Sequence, residues 1–122
     1  MESPFKGKTG LTRLWNAMHY SIAGLREAYR HEGAFRQEVW LALLLIPAAL
    51  MLGEDGLSRA AMIASVLIVL IVELLNSAVE ATVDRISLDR DELARRAKDL
   101  GSAAVLIALI NVAVVWGCVL FF

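Results

Sequence analysis

The chain has 122 residues, 58% of them hydrophobic, with 12 basic and 13 acidic side chains and a formal net charge of −1; its mean hydropathy is +0.61. Soluble domains are about 45–50% apolar, so this composition is that of a membrane protein, and the length allows one domain, residues 1–122. Balanced net charge says nothing about nucleic acid, so only the distribution of charge along the chain is informative; no nucleic-acid partner is expected. The single cysteine, Cys118, excludes an intrachain disulfide framework and any multi-cysteine metal site.

Residues 1–9, with Pro4, Gly7 and scattered lysines, read as a mobile arm. No apolar core of signal-peptide type follows before Val39, so no cleaved leader is expected. Over residues 10–31, with a start near Thr9 or Thr12, Leu11, Leu14, Trp15, Met18, Ile22, Leu25 and Tyr29 recur in steps of three and four. Arg13, Asn16, Arg26, Glu27 and Arg30 lie mostly on the other side. This is the pattern of an amphipathic helix in the membrane interface, the alternative being a helix packed on other protein.

Gly33 allows the chain to turn into the bilayer. Residues 34–52, apolar from Val39 apart from the kink-prone Pro47, form the first expected span. Gly53-Glu54-Asp55-Gly56 is a polar turn, with Ser58 expected to cap the next helix. The second span, residues 57–86, is longer than the hydrocarbon needs. A third, residues 91–121, opens on a cap from Asp89 or Asp91 and carries no charge after Asp99. Its Gly101, Ser102, Ala103, Ala104 and Ala108 favour close helix packing, and Asn111 could bond across such a contact.

Eleven of the twelve basic residues precede the first span or lie between the second and third; only Arg59 is near the opposite turn. That asymmetry predicts a cytoplasmic N-terminus and an outer C-terminus anchored by Trp116, Phe121 and Phe122.

One stretch carries the chemistry. On the second span Glu73, Asn76, Ser77, Glu80 and Asp84 share a helical face, in a segment apolar enough to enter a bilayer. Carboxylates there are costly unless paired, solvated or bound to a cation, which marks a functional site; the bland alternative is a wetted stripe, or one paired with the arginines that follow. With the predicted topology Glu32, Glu38, Glu73, Asn76, Glu80, Asp84, Lys98 and Asp99 meet at the cytoplasmic interface. Carboxylates suit Mg²⁺, which takes one or two of them plus substrate phosphates, and neighbouring cations suit the phosphates. The chain has no GxxxxGK[ST] loop, GxGxxG or HRD motif, so a kinase reading needs an unrelated architecture.

The run Glu73-Leu-Leu-Asn76-Ser77-Ala-Val-Glu80-Ala-Thr-Val-Asp84, followed by Lys98-Asp99-Leu-Gly101-Ser102, resembles the signature of the prokaryotic diacylglycerol kinase family. Ala34-Phe35-Arg36-Gln37-Glu38 resembles that family's entry to its first span. The likeness implies an all-α integral membrane protein with three transmembrane helices, an N-terminal amphipathic interfacial helix and a homotrimeric bundle with composite active sites. It would lie in the bacterial inner membrane and use ATP with Mg²⁺ to phosphorylate diacylglycerol or another lipid alcohol.

Carried over by resemblance, Glu73 would be the general base, Asn76 and Lys98 would position the phosphate, and Glu32 and Glu80 would hold the metal with ATP. Nucleotide contacts would further involve Arg13, Tyr20, Asp89, Arg90, Asp91 and Asp99. Lipid contacts would fall to Arg13, Ala17, Ser21, Arg26, Tyr29, Ala34, Phe35, Arg36, Glu38, Glu73 and Ser102, with Asp84 in support. A related branch phosphorylates undecaprenol. From a different class, a small cation or proton-coupled transporter would place its carboxylate near the midplane, and a structural adaptor would leave the Glu73/Asn76/Glu80 register without a reason.

Overall fold

The computed structural model describes residues 9–86 and 91–122, so all but Thr9 of the expected N-terminal arm lies outside the described residues, as do Asp89 and Arg90. These residues form four helices and no strand: α1 (Gly10–His31), α2 (Gly33–Leu52), α3 (Gly56–Ile86) and α4 (Glu92–Phe121). Thr9 opens α1 by accepting the Thr12 N–H, and Asp91 opens α4 by accepting the Ala94 N–H at 2.7 Å. Glu32 separates α1 from α2 with an extended backbone (φ −112°, ψ 104°) while its N–H still donates to the Ala28 carbonyl. Arg36 Nη1 then folds back on the carbonyls of Tyr29 (2.8 Å) and Arg30 (3.3 Å), satisfying acceptors that the end of α1 leaves open.

The turn after α2 is tied together by Arg59, whose Nε donates to the Gly53 carbonyl at 3.1 Å. A Cβ at Gly53 would press on Arg59 and on the Ala49 carbonyl, so the turn closes only with glycine. Asp55, not the expected Ser58, caps α3. Its carboxylate accepts the Ser58 N–H at 2.7 Å, and hydrogen bonds from the Ser58 backbone and then its hydroxyl hold this carboxyl below its ordinary value. A helix is capped from the residue whose side chain reaches back over the first turn, and α3 starts three residues earlier than a Ser58 cap requires.

α2, α3 and α4 are each long and apolar enough to cross a membrane. At 31 residues α3 is roughly 46 Å long, against about 30 Å of hydrocarbon. It is the central helix: Met62, Ser65, Val66, Val69 and Glu73 are buried along one stripe, with α2 and α4 packed against it. At the end of α3 nearer Met62, Trp116 of α4 donates from Nε1 to the Met62 carbonyl and to Ser65 Oγ, both at 3.2 Å. Trp116, expected as an outer anchor with Phe121 and Phe122, is half-buried and ties α4 to α3, while Phe121 and Phe122 stay exposed. Elsewhere α2 and α4 present bare leucines such as Leu44 (68% exposed) and Leu106 (58%), a surface that suits lipid or a second chain rather than water.

Candidate active site

The buried stripe of α3 runs Met62, Val66, Val69, and its next position is Glu73, which is only 6% exposed. A charged carboxylate at a core position costs several kcal/mol unless something answers it. What meets it is a second carboxyl: α2 turns Glu38 against Glu73, and Glu38 Oε2 is buried with no hydrogen-bond partner. One turn further along α3 the Asn76 side chain lies against Gly101 of α4, so close that a Cβ on Gly101 would overlap Asn76 Oδ1. That oxygen is likewise buried and unpartnered, whereas Asn76 Nδ2 donates to Glu80 Oε1 at 3.5 Å. Last in line, Asp84 pairs with Lys98 of α4 at 2.7 Å with both side chains about half exposed. The two α3–α4 contacts, Asn76 on Gly101 and Asp84 with Lys98, set these helices antiparallel and string Glu73, Asn76, Glu80, Asp84 and Lys98 along one edge, from buried to solvated.

Other expected residues fall elsewhere. Ser77 lies at the flank of that edge. It lines a groove of about 640 Å³ between α1 and α3, together with Ser21, Ala28, His31, Glu32, Leu74 and Ala81. Glu32 thus meets α3 on the Ser77/Ala81 side, while Glu80 bonds with Asn76 on the adjoining face, roughly 100° further round. Arg26, Tyr29 and Phe35 line a second groove, of about 490 Å³, with Arg30, Val39 and Leu70. Arg13 and Tyr20 lie exposed on the first half of α1, Ala17 is half-buried there, and Ala34 and Ser102 are exposed on α2 and α4. Asp99 does not pair with Lys98; Arg95 joins it at 2.8 Å and Glu92 at 2.6 Å. Asp91 is spent on the α4 cap.

Two roles escaped sequence reasoning. Gly101 is the cradle for the Asn76 amide, and its only signal was membership of a run of small residues. Arg36 closes the α1–α2 elbow and also sits over the Tyr29 ring, 5.9 Å from the centroid, while Tyr29 Oη accepts the Trp40 Nε1–H at 3.1 Å. Nothing in one sequence separates a capping arginine from one that binds substrate.

The donor set can be tested for Mg²⁺. Among the described residues no group of three His, Cys, Asp or Glu side chains could hold an ion alone. Single half-buried carboxylates such as Glu32 and Glu80 fit an ion that brings nucleotide phosphates as its other ligands.

Three membrane-length helices with carboxyls buried between them define a membrane protein whose polar site lies within its helix packing, the setting of transport or of chemistry on a lipid. Comparison with known proteins narrows this further. Residues 19–120 match the family model described as prokaryotic diacylglycerol kinase. The chain is 56% identical over 118 residues to the diacylglycerol kinase of Pseudomonas aeruginosa, covering 97% of this chain and 96% of that one. It is 55% identical to that of Haemophilus influenzae (93% and 97% covered) and 52% identical to that of Escherichia coli K12 (92% and 91%). The chain belongs to the prokaryotic diacylglycerol kinase family.

Proposed function

We propose that this protein transfers the γ-phosphoryl group of ATP to the free hydroxyl of diacylglycerol, giving phosphatidic acid. The observation that carries the reading is identity of 52–56% over nearly the whole chain to three diacylglycerol kinases, together with a carboxylate buried within the helix packing at Glu73. Glu73 is the general base: it accepts the lipid hydroxyl proton as the new oxygen–phosphorus bond forms and the bond from the γ-phosphorus to the bridging oxygen of ADP breaks. Depth decides the division of labour. The buried end of the Glu73 to Asp84 edge serves the lipid alcohol, and the solvated end serves the nucleotide.

Asn76 and Lys98 position the transferring phosphate, with Asp84 holding the Lys98 ammonium at 2.7 Å. Glu32 and Glu80 hold Mg²⁺ with ATP, and the ion, when bound, draws charge from the phosphates. Arg13, Tyr20, Asp89, Arg90, Asp91 and Asp99 complete the nucleotide side. The lipid lies along α1, from Ala17 and Ser21 past Arg26 and Tyr29, and on through Ala34, Phe35, Arg36 and Glu38 to Ser102. α1 rests in the membrane interface, its Leu11, Leu14, Trp15 and Met18 more than half exposed in the isolated chain. Three copies assemble into a homotrimer with shared active sites, which covers much of the bare α2 and α4 surface. The bias of basic residues supports a bacterial inner-membrane location with the site and N-terminus in the cytoplasm.

The test is purified protein in lipid with radiolabelled ATP and, separately, dioleoylglycerol or undecaprenol. Wild type labels dioleoylglycerol, and Glu73→Gln lowers kcat by about 10²-fold or more with little change in KM for ATP. Label on undecaprenol alone moves the acceptor to the polyprenyl branch. Label on neither lipid refutes the kinase and favours a transporter; normal turnover by Glu73→Gln puts the base on another carboxylate.

A further inference from the structure

We infer that Trp40 is a positioning residue for the proposed reaction: by holding Tyr29 it locks the elbow between α1 and α2, and so fixes where α1 presents its nucleotide contacts. The inference rests on Arg13 and Tyr20 meeting the nucleotide, as proposed above.

The elbow has a single joint. α1 ends at His31 and α2 begins at Gly33, and the residue between them, Glu32, has an extended backbone and no side-chain capping bond to α2. Two soft dihedrals at one residue do not by themselves hold an angle between helices. α1 needs that angle held, because it packs mainly on α2 and projects from the joint as a lever. At about 1.5 Å per residue, Arg13 stands roughly 28 Å and Tyr20 roughly 18 Å from Glu32. A swing of about 10° would carry them roughly 5 Å and 3 Å, and either displacement breaks a hydrogen bond.

Two residues of α2 supply the lock, and both close on Tyr29. Arg36 Nη1 donates to the Tyr29 carbonyl at 2.8 Å and to the Arg30 carbonyl at 3.3 Å, and the Arg36 guanidinium lies 5.9 Å from the centre of the Tyr29 ring. Trp40 Nε1 donates to Tyr29 Oη at 3.1 Å. Tyr29 is thus gripped at backbone, ring and hydroxyl. The Arg36 bonds run from the start of α2 to the last turn of α1, so they fasten the joint itself. The Trp40 bond starts one turn further along α2, which gives it the longer arm against bending.

The direction of that bond sets it apart from ordinary membrane anchoring. A tryptophan at the membrane interface turns its indole N–H to headgroups or water. Trp40 is 61% exposed, yet its N–H points back to the chain.

The bond is tested by deleting each partner while keeping an aromatic ring. Trp40→Phe and Tyr29→Phe should each raise KM for ATP by roughly two- to tenfold, the range of one neutral hydrogen bond. The kcat of Trp40→Phe should stay within about twofold of wild type. The double variant should match the single ones, because both substitutions remove the same bond. Additive losses, as an indole that merely anchors the interface would give, or wild-type KM in Trp40→Phe, would overturn the inference. Geometry is read without turnover. With Cys118→Ala, spin labels at the exposed Leu11 of α1 and Leu50 of α2, on chains reassembled with an excess of unlabelled protein, report the distance across the elbow. Trp40→Phe should shift or broaden that distribution, and an unchanged one would overturn the inference. Should wild type phosphorylate no lipid, the kinase reading falls, and the distances alone still decide whether Trp40 locks the elbow.

Discussion

Replacing Gly101 with alanine separates the two things this glycine does. In a helix interior alanine is favoured over glycine by about 1 kcal/mol, so α4 by itself would be stabilised. The new Cβ, however, lands on Asn76 Oδ1, and the amide must turn away. Overpacking of this kind costs about 1–3 kcal/mol, leaving a net destabilisation of about 0–2 kcal/mol. Activity should suffer more than stability. A displaced amide can no longer donate to Glu80, a bond to a charged group worth about 1.5–3 kcal/mol in general. At 3.5 Å this bond is long, so the lower figure applies, and it corresponds to a loss of roughly tenfold in rate. Steady-state kinetics in mixed micelles, alongside thermal inactivation of the same preparation, measure both. In an Asn76→Ala background the added Gly101→Ala change should do little more, because the side chain it displaces is gone. Wild-type kcat in Gly101→Ala, or a rate loss fully matched by loss of folded protein, would refute the argument.

Metal dependence gives a second check. Glu80→Gln and Glu32→Gln should each raise the Mg²⁺ concentration needed for half-maximal activity, by roughly tenfold or more on loss of an anionic ligand, and chelation of Mg²⁺ should abolish turnover reversibly; unchanged Mg²⁺ dependence in either variant would remove that residue from the ligand set. Topology can be read with Cys118 replaced by alanine: a cysteine at Glu54 should react with a membrane-impermeant maleimide from outside intact cells and one at Glu92 only after permeabilisation. The reverse pattern would put the proposed site on the wrong side for ATP.

The sequence alone determined what depends on neighbours along the chain. Three long apolar helices follow from uncharged runs, and the caps narrow to Thr9 or Thr12 and to Asp89 or Asp91, of which Thr9 and Asp91 each bind the N–H three residues on. The common edge of Glu73, Asn76, Glu80 and Asp84 follows from 3.6 residues per turn. Contacts between helices were out of reach, because in an apolar helix almost every face can pack or meet lipid, and periodicity does not choose among them. Only the tertiary structure set Glu38 against Glu73, gave Lys98 to Asp84 while Arg95 took Asp99, and tied Trp116 to Ser65. It also divided one predicted cluster into a polar edge facing α2 and α4 and a groove facing α1. That division turns on how α3 is rotated, which is fixed by burying Met62, Val66 and Val69 against two other helices at once, and Glu73 becomes a buried carboxyl because it continues their stripe.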